Sequence, residues 1–187
     1  MSCPGAGLLE ENGREVAIGP VARSGLRATR KVFVPPSGGF ARYLEILTNP
    51  TTQAITVPVE MEGYLGSDDR TRVVVAPSET NNTFAVTDQQ GECCDPALAH
   101  VFGGPNAAVA LTSSQFVNGN SVIRYRWQVT VPPGATVILM HFAVQREVLD
   151  TAGAQAQAQA LVSLTDPNAL VGMSADEKAA VVNFVVP

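Results

Sequence analysis

The middle of the chain alternates between apolar and polar positions with a period of two. "QAITVPVEMEG" (53–63) puts Ile55, Val57, Val59 and Met61 on one face and Thr56, Pro58, Glu60 and Glu62 on the other. That is the pattern of a half-buried strand. Pro58 offers no amide to a neighbour, which predicts an edge strand or a bulge. "RKVFVP" (30–35) sets Val32 and Val34 against Phe33. "ARYLEILTN" (41–49) sets Tyr43, Glu45 and Leu47 against Leu44 and Ile46. Turn chemistry in "TNPTTQ" makes the runs at 41–49 and 53–63 a hairpin candidate. Further strands are predicted at 71–77, 83–88, 107–113, 121–131 and 135–145, with "NGN" and "PPG" as turns. Short strands at this spacing, with no helices between them, predict a mainly β protein. The expected architecture is an antiparallel β-sandwich, or a supersandwich, with a short C-terminal helical segment.

The character changes after Gln145. "DTAGAQAQAQALVSL" (150–164) alternates like a strand, but its Ala and Gln favour helix and β-branched residues are sparse, so it is read as helix. "TDPNAL" (165–170) reads as a cap with a proline near a first helical position. In "SADEKAAVVNF" (174–184), Ser174 and Glu177 form a capping box that opens a second short helix, with Ala180, Val181 and Phe184 on one face. The expected organisation is a sandwich over 1–150 and a helical segment over 151–187, packed on the sandwich and ending in a linker.

Charge narrows the functional classes. Only 16% of the 187 residues are charged, and the net charge is −5. Soluble domains carry roughly 25%. Thr, Ser, Asn, Gln, Gly and Pro take the place of the missing charges, a composition common on secreted surfaces. No stretch concentrates Lys and Arg, so no nucleic-acid partner is expected. No run approaches the ~18 apolar residues of a membrane span. Met1-Ser-Cys-Pro lacks the basic and apolar regions of a signal peptide. The protein is then either cytoplasmic or part of a longer secreted chain.

Several stretches resemble β-rich modules of large secreted bacterial multidomain proteins. They are "SGLRATRKVFVPPSGGFARYLEILTNPTTQAITVPVEMEGYLGSD" (24–68), "DPALAHVFGGP" (95–105), "VTVPPGATVILMHFAVQ" (129–145) and "LVGMSADEKAAVVNF" (170–184). The early part also resembles the supersandwich domains attached to carbohydrate-active enzymes. The resemblance implies an extracellular or cell-surface module without known chemistry.

The candidate chemistry is sparse. "GECCDPALAH" (91–100) holds Cys93, Cys94 and His100. Adjacent cysteines diverge in extended chain and lack the two-to-four-residue spacing of zinc ligands, so no metal site is expected. A catalytic thiol would need a base, and the sequence brings neither His100 nor His141 to a cysteine. One disulfide at most is expected among Cys3, Cys93 and Cys94, with Cys3 tied to one of the pair. His141, in "ILMHFAV", has apolar neighbours at 139 and 143 and is read as a core or sheet-face histidine without a carboxylate at readable spacing. "IRYRWQV" alternates Arg124 and Arg126 with Tyr125 and Trp127. The four form a candidate sugar platform, although Tyr125 and Trp127 share a face with Ile123 and Val129, which favours core. Glu60 and Glu62 stand about 7 Å apart by strand rise. Glycosidase carboxylates occur at such separations, and so do ordinary exposed pairs. The acids of "GSDD" (66–69) and Asp88 read as turn chemistry before calcium ligands. No phosphate-cradling loop, dinucleotide fingerprint, nucleophile elbow or H-E-x-x-H is present.

With no paired nucleophile and base legible, the expectation is a chain that is not an enzyme and needs no cofactor. It would act in adhesion, spacing or assembly, with neighbouring domains or a glycan as partner and an unspecified oligomeric state. The alternative is a carbohydrate-binding or carbohydrate-processing accessory domain.

Overall fold

The structure is a computed structural model that describes residues 7–78, 81–91 and 95–187. Among these residues the strands are β1 (Leu8–Glu10), β2 (Glu15–Arg23), β3 (Leu26–Phe33), β4 (Phe40–Thr48), β5 (Ile55–Tyr64), β6 (Thr71–Val75), β7 (Phe84–Gln89), β8 (Pro96–Val101), β9 (Leu111–Gln115), β10 (Val122–Val131) and β11 (Thr136–Val148). The helices are α1 (Thr151–Val162) and α2 (Ala175–Ala180). An eight-stranded antiparallel sheet has the order β1-β2-β3-β4-β11-β8-β7-β6, with β11 near its middle. A three-stranded sheet, β5-β10-β9, packs on one face, and the C-terminal segment packs on the other. This is a mainly β sandwich with a helical layer added.

Alternation along the strands divides the core between the two faces of the large sheet. On β4 and β11, Leu44, Met140, Phe142 and Val144 face the helical layer, where Ala154, Ala158 and Leu161 of α1 meet them. Leu47, Val137 and Leu139 point the opposite way, toward Ile123, Tyr125, Trp127 and Val129 of β10. The small alanines of α1, spaced four apart, let its axis lie close to the sheet. Asp150 caps this helix, its carboxylate accepting from the Gly153 amide at 2.9 Å.

The hairpin expected from the runs at 41–49 and 53–63 does not form: β4 belongs to the large sheet and β5 to the small one. The reason is Asn49, which is completely buried. Its Nδ2 donates to Gln53 O at 2.7 Å and to Val131 O at 2.9 Å, and its Oδ1 accepts from the Thr51 amide at 2.9 Å. These bonds turn the chain from one layer to the other. Pro58 sits on β5, an edge of the small sheet, where a missing amide costs no ladder bond.

Other boundaries shift for local reasons. The apolar pattern marks no strand before Arg30, yet β1 and β2 form, and β3 starts at Leu26. The run at 107–113 becomes β9 only from Leu111, because the Val109 amide is taken by Val182 O at 2.9 Å. Residues 165–172 make turns rather than a helix. The capping box of α2 is present, but the helix stops at Ala180 instead of running to Phe184. Val181 is extended and bridges Ile138, and the Val182 amide donates to Ile138 O at 3.0 Å. Competition from the sheet unwinds the predicted last turn.

The completely buried Asn183 stitches this end in place. Its Nδ2 donates to Phe102 O and Met140 O, each at 2.7 Å, and its Oδ1 accepts from the Met140 amide at 2.9 Å. A Cβ on Gly103 would stand 2.8 Å from Asn183 O, so that approach requires glycine. The cysteines proposed for a disulfide, Cys3, Cys93 and Cys94, lie outside the described residues.

Candidate functional site

The three-stranded sheet covers only part of the large sheet's inner face. At the border of the covered region, a polar band crosses a surface that is otherwise apolar. Strand register assembles it. His141 on β11 lies opposite Tyr43 on β4, and Glu45, two residues on, lies opposite both Leu139 of β11 and Arg30 of β3. His141 and Glu45 are therefore diagonal neighbours. His141 Nε2 is 3.1 Å from Glu45 Oε1, and its Nδ1 is 3.1 Å from the Tyr125 hydroxyl. Arg30 Nε donates to the same Glu45 Oε1 at 2.7 Å, and its Nη2 donates to Met61 Sδ at 3.1 Å. The Tyr43 ring stacks on His141, with 4.8 Å between centroids and 11° between planes.

One protonation pattern satisfies this chain. A neutral His141 carries its proton on Nε2 for Glu45 and accepts at Nδ1 from the Tyr125 hydroxyl. Burial pushes His141 below the ordinary histidine range, and the Glu45 hydrogen bond opposes without reversing it. Burial would raise Glu45, but the hydrogen bond from His141 and the charge and hydrogen bond of Arg30 outweigh it and hold the carboxyl low. Burial raises Tyr125, which stays a neutral donor. The band is thus an ionised Glu45 clamped between a guanidinium and an imidazole.

His100 extends the band on β8. Its ring lies 5.8 Å from Phe116 and 6.5 Å from Tyr125, and its Nε2 is shut off from solvent without a hydrogen-bond partner. Burial pushes its pKa down to about 4. Such a histidine takes up a proton on unfolding between roughly pH 4 and pH 6.5. The unfolded state then binds more protons, so stability is full above that window and falls as pH drops through it. The expected loss at pH 4.5 is about 2 kcal/mol relative to pH 7.5, seen as a lower urea midpoint. A His100→Gln chain should show a flatter profile over the same range. An unchanged profile would mean that His100 titrates alike folded and unfolded.

Two cavities open on either side of the band. The larger, a groove of about 1000 Å³, lies over the uncovered stretch of sheet and is lined by Tyr43, Leu98, His100, Ala143, Gln145 and Glu147, among others. The smaller, about 430 Å³, lies between β3, β4 and β5 and is lined by Arg23, Ser24, Arg30, Glu45, Glu60 and Met61, among others. Both volumes fall within the usual range of small-molecule sites.

The residues singled out from sequence are placed differently. Tyr125 and Trp127 are 6% and 0% exposed, in the core between the sheets. They cannot stack on an incoming sugar, which corrects the platform reading and agrees with the core reading of that strand face. Arg124 and Arg126 point to the outer face, where Arg124 pairs with Glu62 at 2.6 Å. Glu60 lines the smaller cavity. Asp88 pairs with Arg72, and Asp68 accepts from the Tyr64 hydroxyl. Among the described residues, no cluster of three or more His, Cys, Asp or Glu could hold a metal ion. His141 does have a carboxylate at hand, contrary to the sequence reading. Strand pairing supplies it, and the one trace in the sequence is that Glu45 shares the alternating face of Tyr43 and Leu47.

No family model matches the chain, and no curated protein matches it. Solved structures do. One is a presumed aldose 1-epimerase from Klebsiella pneumoniae, 10% identical, with a TM-score of 0.45, covering 82% of this chain and 55% of the other. A second is a presumed kojibiose phosphorylase from the human microbiome, 7% identical, with a TM-score of 0.48, covering 86% of this chain and 21% of the other. This chain thus spans about half of the first protein and about a fifth of the second. At such identities no residue role is carried across. The expectation that the chain is not an enzyme is nonetheless corrected: a structure that it matches is that of a presumed aldose 1-epimerase, and a likeness this low neither assigns an activity nor supports a noncatalytic reading. By their names, both matched proteins are carbohydrate-related.

Proposed function

We propose that this chain is a carbohydrate-binding or carbohydrate-processing unit whose ligand occupies the groove over Tyr43, His100 and Ala143. The observation that carries the proposal is the stretch of sheet left uncovered beside the polar band, with the half-buried Tyr43 ring as its floor. A sugar offers an apolar face of C–H groups and an edge of hydroxyls. Tyr43, braced flat by His141, suits the first. Gln145, Glu147 and His100 supply acceptors and donors for the second. The low overall charge and turn-rich composition favour an extracellular or surface setting for such a unit.

Calorimetric titration with a panel of mono- and disaccharides tests this. At least one sugar should bind saturably, and Tyr43→Ala should weaken it tenfold or more, about 1.4 kcal/mol. If no sugar in the panel binds, or if Tyr43→Ala binds as well as the parent, the groove is not a carbohydrate site.

A further inference from the structure

The smaller cavity shares no lining residue with the groove, and its chemistry is more sharply defined. Its key group is Glu45. Arg30 Nε and His141 Nε2 both bond to Oε1. Among the described residues no hydrogen bond reaches Oε2, and Oε2 is not one of the fully buried atoms left without a partner. The side chain as a whole is 11% exposed. The carboxylate is therefore anchored from behind through one oxygen while the other keeps contact with the cleft. Arg30, whose side chain is 42% exposed, lines the same cleft as a donor.

The charges of the lining residues select the ligand. Arg23, Arg30 and Glu45 are the charged residues on the inner side of the cleft, and Glu60 borders it from the outer face of β5, opposite Arg126. A cation would meet two guanidiniums, and an anion reaching Arg30 would meet the Glu45 carboxylate beside it. A neutral molecule that presents a hydroxyl donor to Glu45 Oε2 and an adjacent hydroxyl acceptor to Arg30 satisfies both. The 430 Å³ cleft has room for one pyranose-sized ring beside the apolar wall of Val57, Val59 and Met61. We infer that the cleft between β3, β4 and β5 is a second binding site, for a small neutral polyol held through vicinal hydroxyls by Arg30 and Glu45. This inference shares only its ligand class with the groove proposal, and the two sites can be read separately.

Met61 is the reporter for the cleft, because its sulfur accepts from Arg30 there. His100 is the reporter for the groove. In NMR titrations with D-glucose and with myo-inositol, the Met61 methyl signal should shift saturably with at least one probe. Acetate and ethylammonium should leave it in place. Glu45→Gln tests the assignment directly: its amide oxygen can keep the bonds from Arg30 and His141, while its NH₂ turns the cleft-facing acceptor into a donor. The apparent Kd should rise at least tenfold with the melting temperature held. Should Glu45→Gln fold poorly, Ala28→Leu fills the cleft without touching those bonds and should abolish the Met61 shift. A Met61 signal unmoved by both polyols overturns the inference, as does a larger response to acetate or ethylammonium. If His100 shifts while Met61 does not, the cleft fails and the groove stands. If Met61 shifts while His100 does not, the groove fails and the cleft stands.

Discussion

Removing residues 170–187 will leave a chain that no longer folds as a stable monomer. The deletion strips Met173, Val181 and Phe184 from the large sheet, all of them buried. Each such side chain contributes about 1.5–3 kcal/mol by leaving water. It also removes Asn183, leaving Phe102 O, Met140 O and the Met140 amide without their partner. Orphaned buried groups cost about 1–3 kcal/mol each. Together these losses match the ~5–15 kcal/mol that hold an ordinary domain folded. Far-UV circular dichroism should show no cooperative melt, and size exclusion should show association through the uncovered face. A truncated chain that stays monomeric and melts like the parent would mean that the segment merely rests on the sheet. The point variant Asn183→Leu isolates the polar part of the effect and should cost roughly 3 kcal/mol.

Arg42→Met should destabilise the protein by about 3–5 kcal/mol, read as a shift of the urea midpoint at unchanged slope. Arg42 is fully buried under residues 169–171. Its Nη1 donates to Ala169 O at 3.0 Å and Val171 O at 2.7 Å, Nη2 lies 3.5 Å from Glu15 Oε2, and the guanidinium sits 4.7 Å from the centre of the Phe33 ring. Burial lowers Arg42 and raises Glu15, so each charge is tolerated largely through the other. Removing the cation alone strands Glu15, itself 2% exposed. Adding Glu15→Leu to Arg42→Met should therefore recover part of the loss, leaving the two carbonyls as the remaining cost. A single variant that loses less than 1 kcal/mol would show that Glu15 is already neutral in the fold.

Period-two alternation was enough to read β5 and β10, because each buries one face and wets the other, whereas β11 is buried on both faces and reads as a nearly unbroken apolar run. The capping box at Ser174 was legible because it is a local device, satisfied within four residues. β1 and β2 were not: most of β2 is exposed, so burial imposed no alternation on it. The layer change after β4 was hidden because the polar side chain that makes it, Asn49, looks in sequence like part of an ordinary turn. The candidate site was the least legible of all. Arg30, Glu45, His141 and Tyr125 come from four strands and meet only once register is known. A histidine flanked by Leu139 and Ala143 gives no hint that its partners stand on neighbouring strands.

The position of β11 sets the order in which this protein can be made. It lies near the middle of the large sheet, between β4 and β8, yet it is the last strand in the chain. Until residues 136–148 have left the ribosome, the β1–β4 half and the β6–β8 half have no shared ladder, and each shows an open edge on the side where β11 will sit. The helical layer that covers their apolar face follows later still. Contacts this distant in sequence make folding slow. The two half-sheets are then aggregation-prone for as long as synthesis continues. Slower elongation downstream of residue 101 would lengthen that exposure, so the yield of soluble protein should depend on translation rate more than the stability of the finished fold does.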